Sequence, residues 1–249
     1  LLEYLQGLYL ATYIEITAAL VAVISLVKYR AFMDNGGRLI VFLLIYTSIN
    51  EIVGHYPRYI YDLGINKNEF FTNNPSLKRG YWLSNIYALI NFFSLGLFFL
   101  WELKQKRRVQ ILKWCLALFV ILSIANLLIS DDFFNMYSKV TDVLGLGLLI
   151  VAISFYYYEI LIDTVILKIG RTFPFYVSIP VLIYYVCTTP LILLNDFYLK
   201  EELIFRTYFD KLISLANYFL YGMFIFGYLW CYWFNKSINR KSSSLSTSS

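Results

Sequence analysis

Long apolar runs recur along the chain from Leu5 to Phe234, each separated from the next by a short polar stretch. Seven of these runs approach or exceed the roughly 20 residues that a helix needs to cross the hydrocarbon core of a bilayer. They place spans at residues 5–27, 39–61, 81–101, 111–129, 140–161, 174–194 and 212–234. The runs are continuous rather than alternating, which points to helices and not to barrel strands. A helix also satisfies its own backbone N–H and C=O groups where water cannot. The expected fold class is therefore all-α: a polytopic membrane helix bundle of seven transmembrane helices in one domain, residues 1–234. The Ser-rich segment 235–249 is expected to be a disordered cytoplasmic tail.

The connections carry turn residues. Asn35, Gly36 and Gly37 are expected to break the chain after the first span, and Asn73, Asn74 and Pro75 to mark the second loop. Pro174 fits the opening of the sixth span, where its missing N–H costs little. Pro180 and Pro190 fall inside that span and are expected to kink it.

Composition supports lipid as the main solvent. Charged residues make up 15% of the chain and hydrophobic ones 59%, against about a quarter charged in soluble domains. The mean hydropathy is +0.62. There are 23 Tyr and 21 Phe; tyrosine suits the headgroup level or the wall of a cavity. Cys115, Cys187 and Cys231 lie in apolar runs without a CxxC pair, so buried, inert thiols are expected. The chain begins at Leu1 with no basic stretch before the first apolar run, and no signal peptide is read there.

The net charge of +5 fits residues that flank spans rather than a nucleic-acid partner, for which no motif is present. The loops after spans one, three and five, with the tail, hold 12 Lys and Arg, and the opposite loops hold seven. Lys104, Lys106, Arg107 and Arg108 give the sharpest part of that bias. By the positive-inside rule the N-terminus is expected outside and the C-terminus in the cytoplasm.

Ionisable side chains at membrane depth cost about 2.5–3.5 kcal/mol each on insertion scales and as a rule turn into the bundle. Glu15 shares one helix face with Ala11, Ala18, Ala22 and Ser25. In span two Thr47, Glu51, Gly54, His55 and Arg58 share a face, with Asn50 beside it. Glu51 and His55 stand four apart and are placed to touch; His55 is the only histidine. Span three adds Asn85 and Asn91, span six Thr188 and Thr189, and span seven Ser214, Asn217 and Tyr221. Most of these fall in the expected outer half. The candidate ligand-binding residues are Glu15, Glu51, His55, Asn85, Asn91, Thr188 and Asn217, and interhelical hydrogen bonding is the competing account for each. Span five carries a seam of Asp142, Gly145, Leu149, Ala152, Tyr156 and Glu159. Asp142 and Glu159 stand about 25 Å apart along it, and Glu159 is expected to pair with Lys168 or Arg171.

Catalytic and cofactor motifs are missing from the sequence. There is no HExxH zinc pattern, no GxSxG elbow and no P-loop, and one histidine cannot supply paired haem ligands. No cofactor or metal is expected, and a non-enzymatic role is favoured. The seven-span, N-out layout resembles rhodopsins and G-protein-coupled receptors in topology alone: no lysine lies deep in the last span, and Glu102-Leu103-Lys104 and Tyr228-Leu229-Trp230 are poor substitutes for the receptor signatures.

Glu15, Asn50-Glu51 with Gly54, and Tyr158-Glu159-Ile160-Leu161 followed by Phe173-Pro174-Phe175-Tyr176 resemble uncharacterised seven-span proteins of flavobacterial type. That resemblance implies a bacterial inner-membrane bundle and carries no activity with it. The leading expectation is a sensor or receptor-like protein that binds a small ligand or proton in an outer polar pocket and signals to a membrane or cytoplasmic partner. A small carrier or proton-linked channel, a lipid-acting enzyme and a non-catalytic subunit of a membrane complex are the alternatives.

Overall fold

The computed structural model describes residues 2–30, 33–57, 60, 63–64, 69–130, 132–162, 170, 172–198 and 203–234. Every regular element among them is helical. Seven helices are long and apolar enough to cross a membrane. They are α1 (Leu2–Tyr29), α2 (Asn35–Gly54), α3 (Tyr81–Glu102), α4 (Lys106–Ile129), α5 (Lys139–Ile162), α6 (Phe173–Tyr198) and α7 (Leu203–Tyr228). α7 continues into a π-helical turn, Leu229–Phe234. The chain is a multi-pass membrane protein, because helices this apolar need a bilayer around them. The expected tail, 235–249, lies outside the described residues.

Each expected span falls on one of these helices; the seventh starts well before its expected residue 212, at Leu203, and the second is shifted toward the N-terminus at both ends. Asn35, Gly36 and Gly37 do not break the chain but form the first turn of α2. Asp34 caps that turn, its carboxylate accepting from the Gly37 N–H at 3.0 Å, as an N-cap aspartate does. The glycines serve close approach. A Cβ on Gly36 would stand 2.8 Å from Glu102 Oε1, and one on Gly37 2.6 Å from the Tyr232 hydroxyl. At the other end α2 stops at Gly54, with His55 as its C-cap. Pro57 has no N–H to donate to the Val53 carbonyl, so the ladder is interrupted at His55 before helical residues resume at Tyr56. The polar face expected to run on to Arg58 is cut short: Gly54 is exposed, and Arg58 is outside the described residues.

The helices form a ring with one member outside it. α1 packs on α2 and α7, α2 on α3, α3 on α5, α5 on α6, and α6 on α7. α4 lies against α3 and α5 from outside, and its Trp114 and Leu128 are 69% and 80% exposed, a surface suited to acyl chains. Lipid supplies no hydrophobic drive between helices, so small residues that permit contact matter most. Ala18 and Ala22, on the predicted α1 face, are fully buried, and Ala11, Glu15 and Ser25 are buried with them. On α5 the seam residues Leu149, Ala152 and Tyr156 are buried too. Gly145 admits the Phe92 ring so closely that a Cβ there would sit 2.3 Å from it. α6 remains helical through Pro180 and Pro190. Cys115 and Cys231 are half-buried and Cys187 is exposed, so the expectation of buried thiols does not hold for Cys187, which stands on the outer side of its helix.

Glu159 stitches α5 to the start of α4. Its carboxylate accepts from the N–H groups of Lys104 at 2.8 Å and Gln105 at 3.0 Å. It also pairs with Arg108 Nε at 3.0 Å, whose guanidinium lies over the Tyr158 ring. The partner expected from the sequence was Lys168 or Arg171, both outside the described residues. Arg108 fills that place because it is one turn into α4, beside the orphan N–H groups that the same carboxylate satisfies.

Candidate ligand-binding cavity

A cavity of about 610 Å³ lies inside the ring. It occupies the end where α2 and α6 finish and α3, α5 and α7 begin. Each lining helix turns one face to it by three- and four-residue steps. α3 contributes Ser84, Asn85, Tyr87, Ala88, Asn91, Phe92 and Leu95; α6 contributes Val181, Tyr184, Tyr185, Thr188, Thr189 and Ile192. α2 brings Leu43, Leu44 and Thr47, α7 brings Phe209, Asp210, Ile213, Leu220, Tyr221 and Phe224, α5 brings Asp142, and Tyr137 comes from the connector before α5. The cavity has two zones. Leu44, Phe92, Leu95, Val181 and Phe224 form an apolar floor toward the middle of the bundle. Tyrosines, threonines and the two aspartates lie nearer the rim.

The polar groups of the wall differ in what they have left to offer. Thr47 donates to the Leu43 carbonyl at 2.9 Å, so in its 3.1 Å contact with Tyr87 the tyrosine donates. This pair of hydroxyls joins α3 to α2 at the cavity wall. Asn91 donates to the Tyr185 hydroxyl, which keeps its own proton. Thr188 donates back to the Tyr184 carbonyl at 2.8 Å, the usual local bond of a threonine in a helix.

Asn85 is committed elsewhere. Its amide donates to the Phe133 and Met136 carbonyls at 3.1 and 3.0 Å, and its oxygen accepts from the Ser138 N–H at 2.9 Å. It thereby clamps the connector between α4 and α5. Asp142, in the first turn of α5, is the opposite case. Its carboxylate has no hydrogen bond or ion pair among the described residues, and its charge reaches Tyr137, Tyr184 and Tyr185.

The structure divides the residues singled out from the sequence. Asn85, Asn91 and Thr188 line the cavity, whereas Glu15, Glu51, His55 and Asn217 do not. Glu51 and His55 meet through the main chain: His55 Nδ1 donates to the Glu51 carbonyl at 2.7 Å, while the Glu51 carboxylate accepts from Thr12 at 3.4 Å. The helix ends between them, which turns the imidazole back on its own last turn. Glu15 stands behind the tyrosine wall. It is 6% exposed, its charge interacts with Glu51, Tyr87, Tyr184 and Tyr221, and its Oε2 has no hydrogen-bond partner among the described residues.

Sequence reasoning missed Tyr87, Tyr137, Tyr184, Tyr185 and Asp210, and it read Asp142 only as the end of a seam. The available signal was the 181, 184/185, 188/189, 192 periodicity of α6, which aligns its tyrosines with its threonines. Among the described residues no group of three His, Cys, Asp or Glu side chains is placed to hold a metal ion. Comparison with family models, with curated proteins and with solved structures finds no match to this chain, so the reading of its function rests on the cavity.

Proposed function

We propose that this chain is a receptor-like membrane protein that binds a small organic molecule in the cavity inside its helix ring. The observation that carries this reading is a chamber of about 610 Å³, within the few-hundred to thousand Å³ range of small-molecule sites, with an apolar floor and polar groups still able to bond. The bias of Lys and Arg supports an orientation with the cavity end outside and Lys104 to Arg108 in the cytoplasm, and the flavobacterial resemblance is the support for a bacterial inner membrane. α5 supplies a route for output: Asp142 lies in the cavity at one end, and Glu159 holds Arg108 at the other.

The test is a thermal-shift screen of the purified protein with soluble small molecules, run in parallel on Ala88→Trp. The indole is expected to obstruct the chamber, so compounds that raise Tm in the wild type should lose their effect. A screen in which every compound acts alike on both proteins would reject the reading.

Glu15 favours one second reading, a proton-linked carrier. A buried carboxyl oxygen without a hydrogen-bond partner among the described residues, behind the wall of a substrate-sized chamber, is suited to holding and releasing a proton. Proton-dependent uptake into liposomes that Glu15→Gln abolishes would establish it over the receptor reading.

A further inference from the structure

We infer that the ligand is an organic ammonium ion, an amine with an apolar body, whose charged head lies against Asp142. The inference rests on the cavity being a ligand site and adds the class of ligand. Asp142 and Asp210 bring acidic groups to the lining, and no lysine, arginine or histidine is among the described residues that line it. A carboxylate set in such a wall repels an anionic ligand, accepts from a neutral donor, and gains both a hydrogen bond and charge neutralisation only from a cation.

Asp142 is not spoken for by its own helix. The start of α5 is already capped by Ser138, whose Oγ accepts from the Thr141 N–H at 3.3 Å and bonds Thr141 Oγ1 at 2.8 Å. Asp142 is half-buried, a carboxylate set at a largely apolar chamber gains from an opposite charge, and a cation in the chamber supplies it. The walls beside it suit the same ligand. Tyr137, Tyr184 and Tyr185 are near enough to feel the Asp142 charge, and aromatic faces attract ammonium groups. The floor of Leu44, Phe92 and Phe224 then receives the apolar body. A bare metal ion does not fit, since the chamber is far larger than an ion and gathers no set of three ligating side chains among the described residues.

The test uses three probes on the full chain in nanodiscs: 4-phenylbutylamine, its neutral N-acetyl derivative and the anion 4-phenylbutyrate. Calorimetry should show the amine binding at least tenfold more tightly than either of the others. Asp142→Asn should remove that preference while leaving binding of the N-acetyl derivative in place, and Asp142→Glu, which keeps the charge, should retain it. Ala88→Trp should abolish all binding. Equal affinity for the three probes, or an unchanged amine preference in Asp142→Asn, would overturn the cation assignment and leave the cavity as a small-molecule site. If no probe shows binding that Ala88→Trp removes, the assignment and the ligand-site reading fall together.

Discussion

The hydroxyl of Tyr228 donates a 3.0 Å hydrogen bond to the carbonyl of Gly37. It joins the end of α7 to the first turn of α2, and both groups are buried. Three more bonds hold the same end of the chain: Tyr232 to Asp34, the cap of α2, at 3.1 Å, Trp233 to Ser25 of α1 at 3.0 Å, and Trp230 to Gly170, ahead of α6, at 3.1 Å. Trp230, Tyr232 and Trp233 all lie in the π-helical turn at 229–234, and each reaches a separate partner. Tyr228→Phe keeps the ring and removes this bond, while the Gly37 carbonyl keeps its helical bond inside α2. A loss of about 0.5–1.5 kcal/mol is expected, read as a lower Tm in detergent with ligand affinity unchanged.

Gly145 and Phe92 make a second pair whose disruption can be reversed. Gly145→Val puts side-chain atoms where the Phe92 ring now lies, and overpacking of this kind costs about 1–3 kcal/mol. Adding Phe92→Ala should recover part of that loss. The double-mutant cycle checks the contact, and additive losses would show that the two residues do not compete for one space.

Asn85 separates the architectural role from the binding role. Asn85→Ala removes three hydrogen bonds to the 133–138 connector, and at ~1 kcal/mol per bond it should destabilise the protein by about 2–4 kcal/mol. Any change in ligand affinity should be small beside the shift in unfolding midpoint. A strong affinity loss at unchanged stability would instead make Asn85 a ligand contact.

Glu159→Ala should loosen the α4–α5 stitch. It removes the acceptor of two backbone N–H groups and the partner of Arg108, whose side chain is 16% exposed. Because the guanidinium keeps some access to water, the expected cost is about 1–3 kcal/mol, below that of breaking a fully buried pair. Hydrogen exchange at residues 104–109 should rise selectively, and a protected segment there would contradict the stitch.

The sequence made the membrane helices legible because twenty-residue apolar runs have few other uses. The buried face of α1 was legible too, since Glu15 and its small neighbours recur at helical spacing. Asn35 to Gly37 were misread because glycines are ordinary loop residues unless something presses on them. What presses here is Glu102 and Tyr232, which are distant in sequence. His55 and Glu51 drew notice as the ionisable pair at i and i+4, but that spacing assumes an unbroken helix, and α2 ends at Gly54. The tyrosines of α6 passed for interface residues because an aromatic at the headgroup and one in a cavity look alike along a single helix. Only the closing of the ring tells them apart.

α3 and α5 meet directly, with α4 leaning on both from the lipid side. The chamber is therefore walled off without help from α4, whose side chains do not enter it. A reporter dye or a cross-linker could be carried on the lipid-facing side of α4, at Trp114 or Leu128, without intruding on the room behind it.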